Sequence, residues 1–185
     1  MKIDIARQPL VPAFMTLFAL AVAAMCAGIP VSDTSGAVRD ALPLLGGQLA
    51  RFQAAYPVWS KFAAGFMLLF TGMCAGRITI RYNLYTVGTC LPIPLYAIVA
   101  CGIATGGNYL AGFAASMLLS LATKNYCRAF CNGYGFDAIF RASLYLGLMP
   151  LIYAPALPLL LLLPLAVLLF RRTLREVAVA TAGLL

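Results

Sequence analysis

From Tyr82 to Thr123 the chain runs 42 residues without one charged side chain. Soluble domains carry about a quarter of their residues charged, so a bare stretch of this length has few ways to be solvated by water. The whole 185-residue chain is built the same way: 63% apolar, 10% charged, with a mean hydropathy of +0.95. That balance excludes a soluble globular domain, a disordered chain and a fibrous one, and leaves a polytopic membrane protein.

A helix crosses roughly 30 Å of hydrocarbon with about 20 residues. The 42-residue run therefore holds two crossings but not three. The break falls at Thr105-Gly106-Gly107-Asn108, where turn-forming residues cluster, giving spans over 84–104 and 108–123. Leu10 to Ile29 forms a first span. Its apolar run exceeds the 7–15 residues or so of a signal-peptide core, and the segment before it is mixed in charge (Lys2, Asp4, Arg7), so a retained helix is expected rather than a cleaved leader. A second span covers 58–80. Its uncharged centre, Phe62 to Gly76, is short, and Trp59, Lys61 and Arg77 can reach the two interfaces from either end.

Ala142 to Phe170 is uncharged and holds Pro150, Pro155, Pro158 and Pro164. It reads either as one long kinked helix or as two short ones. Lys124 and Arg128 precede it; Arg171, Arg172 and Arg175 follow it. Both clusters favour the cytoplasm, so two crossings are expected: a hairpin over 137–154 and 156–171, turning at Ala154-Pro155-Ala156-Leu157-Pro158. Short arms imply local thinning of the bilayer or shielding by neighbours.

The expected fold is thus an all-α polytopic transmembrane helical bundle, one integral membrane domain over 1–185, with about six spans and the N-terminus inside. This orientation puts Lys2, Arg7, Arg77, Arg81, Lys124, Arg128, Arg171, Arg172 and Arg175 in the cytoplasm and only Arg39, Arg51 and Lys61 outside. Arg141 lies one turn into the fifth span. The setting is the bacterial inner membrane. The net charge of +8 sits at the ends of apolar runs, where topology signals sit, and reads as a topology determinant rather than a nucleic-acid surface, with recruitment of an anionic lipid or lipid-linked phosphate as the alternative. Glu176 to Leu185 is too short to cross. It either folds back on the bundle or begins a further helix of a longer natural chain, and the latter is expected.

The sizeable outer loop is amphipathic. Val38, Leu42, Leu45, Leu49, Phe52 and Tyr56 recur at intervals of four and three, which is one helical face; Arg39, Asp40, Gln48, Arg51 and Gln53 fall largely off it. Asp40 is a candidate N-cap, Pro43 is tolerated in a first turn, and Gly46-Gly47 weakens the middle. A helix over 37–56 lying in the outer interface is expected, whether it caps the bundle or faces a substrate or partner.

Chemistry-bearing residues are few. There is no histidine, and the acids number only five. Serine-hydrolase, zinc-protease and nucleotide-binding motifs are missing from the sequence. Asp33 and Asp40 lie in the outer loop, where polytopic glycosyltransferases place acids, but their spacing is not diagnostic. Cys26, Cys74, Cys90 and Cys101 fall inside spans and read as small apolar residues. Cys127 and Cys131 share a helical face on the reducing side, which is a weak metal signal. No catalytic residue, metal or cofactor is assigned. Gly72 and Gly76 form a GxxxG pair suited to close helix packing. Arg77 and Arg81, with Tyr82, Asn83 and Tyr85, read as an interfacial belt with cationic anchors. Lys124 and Arg128 share a face. Asp137 and Arg141, four apart with the acid first, suit a local ion pair at a helix start. Lys124, Asn125, Arg128 and Arg141 are the candidate head-group site for a lipid or a lipid-linked phosphate, beside their topological and capping role.

Leu121 to Leu185 also resembles an uncharacterised polytopic inner-membrane family of Bacteroidota. The matching elements are Lys124-Asn125, Phe136-Asp137, the Tyr153 to Pro158 hairpin, and Arg171-Arg172 running to Glu176 and Gly183. The resemblance implies a longer membrane protein with helices beyond this end, and lends no catalytic residues. Two roles remain from different classes. One is a non-catalytic scaffold or assembly component of envelope biogenesis, with membrane-protein partners. The other is a carrier or handler of a lipid-linked or anionic substrate, such as a transporter or a polyprenyl-linked glycosyltransferase-like protein. A polar cavity reaching Asn108, Tyr109 or Tyr145 would favour the carrier.

Overall fold

The computed structural model describes residues 10–26, 44–82, 90–104, 108–131, 135–161, 165 and 174–184. These residues form Leu10–Cys26 (α1), Leu44–Ala55 (α2), Pro57–Arg81 (α3), Pro92–Ala104 (α4), Tyr109–Cys131 (α5), Phe136–Ile152 (α6), a 3-10 segment over Ala154–Leu161, and Leu174–Leu184 (α7). The protein is all-helical, and no strand occurs among the described residues.

Prolines set several boundaries. Pro57 opens α3, where a missing N–H costs nothing because first-turn amides have no intrahelical acceptor. Tyr56 before it is pushed out of the helical region (φ −131°, ψ 71°), so α2 and α3 meet at a one-residue joint. Pro92 and Pro94 delay α4. The helix was expected from 84, yet Cys90 and Leu91 form a turn closed by a bond from Ile93 N–H to Cys90 O of 3.0 Å; 84–89 lies outside the described residues. At the predicted hairpin, α6 ends at Ile152, two residues short of the expected 154. Tyr153 is extended (φ −139°, ψ 98°), and the chain reverses there. The returning segment begins as 3-10, not α, because Pro155 and Pro158 supply no N–H and disfavour α geometry in the residue before each. The remainder of that arm, with Arg171 and Arg172, lies outside the described residues.

Helices α1, α3, α4 and the start of α5 share one core, built on Leu17, Leu68, Ile93, Leu110 and Phe113 with alanines between them. A second core joins α5, α6 and α7 through Ala122, Ala129, Ile139, Leu146 and Ala180. Ala115, Met149 and Ala156 tie the 3-10 segment to α5 and α6. Thus α6 runs antiparallel to α5, and α7 returns alongside α6.

Close approach depends on glycine. A Cβ on Gly72 would meet the Leu17 methyls at 2.8 Å, and one on Gly76 would meet Ile93 Cδ1 at 2.5 Å. The GxxxG pair therefore seats α1 and α4 against α3 within one chain. Gly183 of α7 is less forgiving, because a Cβ there would lie 2.9 Å from the Phe140 carbonyl oxygen and 2.8 Å from Ser143 Cβ. Backbone cannot step aside as a methyl can.

The side chains are sorted by size in an unusual direction. Among the described residues, 14 of the 25 buried apolar residues are alanine, and Phe113 is the single buried phenylalanine, while Phe14, Phe18, Phe52, Phe62, Phe66, Phe70, Phe136 and Phe140 are exposed. Water would favour the reverse.

The glycine geometry gives a paired expectation for thermal unfolding in detergent. Gly183→Ala should destabilise by about 1–3 kcal/mol through overpacking against the α6 backbone. Gly47→Ala, which has nothing within 4 Å, should stabilise α2 by about 0.5–1 kcal/mol through helix propensity.

Candidate functional site

Helix α3 carries two opposite faces. Ser60, Ala64, Leu68, Thr71, Gly72, Gly76 and Ile78 are buried. Trp59, Phe62 and Phe66 are 69%, 61% and 68% exposed, and Phe70 and Met73 continue their stripe. Beyond that stripe, at the C-terminal end, Arg77 and Arg81 lie one turn apart on one face. They border a cleft of about 660 Å³ whose wall also includes Phe70, Met73, Cys74, Tyr82, Ile93 of α4, Leu10 of α1 and Lys124 of α5. Among the described residues no carboxylate lines the cleft. None of its three cations has an ion pair among the described residues.

Arg77 and Arg81 thus do more than ring an interface, because the fold sets Lys124 beside them. The four candidate head-group residues are distributed differently. Lys124, Asn125 and Arg128 lie on α5, which continues as helix to Cys131 rather than ending at 123. Lys124 faces the cleft, whereas Arg128 is exposed in the last turn of α5 and is not part of the cleft wall. Asn125 Nδ2 donates to Leu121 O at 3.0 Å, turning its amide onto its own helix. Arg141 pairs with Asp137, Nε to Oδ1 3.0 Å, with side chains 58% and 72% exposed, the expected i,i+4 pair; solvent screens such a pair heavily. Arg77 and Arg81 were legible as a basic pair, but nothing in local spacing signals that residue 124 joins residues 77 and 81.

The opposite end of the bundle holds hydrogen bonds and few charges. Ser60 Oγ donates to Pro57 O at 2.8 Å. With its proton so used, it accepts from the Tyr109 hydroxyl at 2.6 Å. Gln53 is buried at 7% exposure and takes the Leu110 N–H on Oε1 at 3.4 Å. That N–H belongs to the first turn of α5 and has no intrahelical acceptor, which explains a buried glutamine on α2. Helix α2 therefore turns Gly46, Leu49 and Gln53 inward and leaves Leu45, Phe52 and Tyr56 exposed. Of the predicted apolar face, Leu49 packs on the first core, while Leu45, Phe52 and Tyr56 stay exposed. Helix α2 is described over Leu44–Ala55, within the expected 37–56; residues 37–43, with Val38, Asp40 and Leu42, lie outside the described residues.

Polar groups inside the bundle are used structurally. Tyr96 and Ser116 join α4 to α5 at 3.0 Å, and Ser143 Oγ donates to Ile139 O at 2.7 Å. Neither Asn108, Tyr109 nor Tyr145 lines the cleft. Chemically, the cleft offers fixed positive charge above apolar walls. It can hold an anion with a greasy attachment, and it presents no acid–base pair. No family model matches the chain, and no match to it is found among curated proteins or solved structures.

Two measurements check these assignments. Ser60→Ala orphans the Tyr109 hydroxyl and should cost about 1–3 kcal/mol, whereas Tyr109→Phe leaves Ser60 its bond to Pro57 and should cost nearer 1 kcal/mol; unfolding of both single variants and the double variant measures the difference. Thiol labelling with a small maleimide, read by peptide mapping, should modify Cys74 in the cleft wall well before Cys90, which is 5% exposed.

Proposed function

We propose that the chain is a multi-pass integral protein of the bacterial inner membrane, crossing about six times from a cytoplasmic N-terminus. In this reading it serves as a non-catalytic scaffold or assembly component of envelope biogenesis, with the bilayer and other membrane proteins as partners. The observation that carries the membrane reading is the inverted sorting of side chains by size: alanine and glycine at helix contacts, phenylalanine on the outside. Lipid is as apolar as leucine, so nothing drives large side chains inward, and small residues are what let helices approach.

By length and composition, α3 is the one described helix able to cross a membrane unaided. Its 25 residues reach about 37 Å, from Trp59 and Lys61 to Arg77 and Arg81, with exposed aromatics between, in keeping with an anchored crossing. Helix α5, with 23 residues, runs parallel to it, whereas α1, α4 and α6 have 17, 13 and 17. Shorter helices of this kind are accommodated by tilt or by thinning at modest cost. The charge distribution supports the orientation. Among the described residues, Arg77, Arg81, Lys124, Arg128, Arg141 and Arg175 belong to the end that holds the cleft, and only Arg51 and Lys61 to the end that holds α2. The scaffold role is supported by the commitment of Ser60, Tyr96, Tyr109, Ser116, Asn125 and Ser143 to internal bonds, although the buried Tyr126 hydroxyl has no hydrogen-bond partner among the described residues. A second reading, a handler of a lipid-linked or anionic substrate, draws on the cleft.

Reporter fusions test the topology. Alkaline phosphatase joined after Gly107 should be active and a fusion after Gly133 inactive, with the protein remaining in the membrane under alkaline carbonate. An inactive phosphatase after Gly107 beside an active one after Gly133 would invert the arrangement.

A further inference from the structure

We propose that the cleft bounded by Arg77, Arg81 and Lys124 is a binding site for an anionic membrane lipid whose head group carries two phosphates. This rests on the multi-pass reading above. Three features lead to it, the first being charge. Two helices far apart in sequence deliver three cations to one rim, and among the described residues no carboxylate in the wall balances them. A head group with a single phosphate charge would leave two of the three cations unneutralised, whereas two phosphates come close to balance.

The second feature is depth. Along α3, Arg77 and Arg81 lie about 27 and 33 Å beyond Trp59 at 1.5 Å per residue. If the tryptophan marks one interface, both arginines fall at the opposite edge of about 30 Å of hydrocarbon, within reach of its phosphates through their long side chains. The third feature is the wall. Below the rim, Phe70 and Met73 are each 38% exposed and lead onto the outward stripe of α3. A bound acyl chain would lie along them without leaving the hydrocarbon. A volume of about 660 Å³ is in the range of sites that enclose organic ligands and generous for a bare phosphate, which would touch none of this apolar surface.

The full chain, purified in neutral detergent, stripped of lipid and returned to phosphatidylcholine vesicles, allows the test. The probes are cardiolipin, with two phosphates, phosphatidylglycerol, with one, and inorganic pyrophosphate as a soluble anion; bound lipid is counted by native mass spectrometry. Cardiolipin should bind more tightly than phosphatidylglycerol, and both should outbind phosphatidylcholine. Each of Arg77→Gln, Arg81→Gln and Lys124→Gln should weaken cardiolipin about fivefold, and the triple variant on the order of 100-fold. The pair Arg51→Gln and Lys61→Gln, at the other end, should leave affinity unchanged. Arg77→Lys with Arg81→Lys should keep most of it, and with the single variants this decides the matter should the triple variant fail to fold. Undiminished cardiolipin binding by the glutamine variants overturns the proposal. So does phosphatidylglycerol binding as tightly as cardiolipin, and so does pyrophosphate binding as tightly as cardiolipin, which would make the site one for a soluble anion. Release of the wild-type chain from vesicles of every composition would overturn the membrane reading itself; retention without lipid preference overturns the lipid assignment alone.

Discussion

Helix backbones in this protein approach one another through missing side chains. Gly72 and Gly76 admit Leu17 and Ile93 onto α3, and Gly183 lets α7 rest on the carbonyl of Phe140. Everything else in the architecture follows from that closeness. A core of alanines contributes little area per residue, so it can be stable only if the backbones come near enough for dispersion to accumulate over many contacts. The bulk that would ordinarily fill a core lies on the outside, where an apolar solvent would suit it.

The bundle then has two ends of different character. One is stitched by neutral hydrogen bonds: Ser60 to Tyr109, and Gln53 to the first turn of α5. The other is cationic and opens into the cleft. The division follows from helix direction. Because α3 and α5 run parallel, their N-terminal halves meet at the hydroxyl pair, and the basic residues near their C-termini meet at the rim. Positive charge near a helix C-terminus is also favoured by the helix dipole, so Arg81 in the last turn of α3 and Arg128 in the last turn of α5 suit both their helices and an anionic surface.

Local chemistry predicted much of the helix inventory, and its failures have physical causes. The starts of α1 and α5 and the centre of α3 were legible because long uncharged runs leave few alternatives. The start of α4 was misplaced, since hydropathy cannot see that Pro92 and Pro94 displace the helix start. The prolines placed the hairpin turn at 154–158; the chain leaves α6 at Tyr153 instead, and 154–161 is 3-10 because the same prolines withhold N–H groups. For α2 the periodicity marked the apolar residues, of which Leu45, Phe52 and Tyr56 stay exposed, but it could not show which residues meet the bundle. The bundle binds the polar Gln53 because an orphaned amide on α5 needs an acceptor, and that need outranks burial of Leu45 and Phe52.

The site shows the same division. By itself the sequence determined that the chain is helical, where charge is forbidden, and that Arg77 and Arg81 share a face, since all three depend on residues within a few turns of one another. Only the tertiary structure decided that Lys124 completes a cationic rim with them while Arg128 and Arg141 stand apart. The pairing of α3 with α5 depends on which small residues allow two backbones to touch, and that complementarity belongs to the packed whole rather than to any stretch of chain.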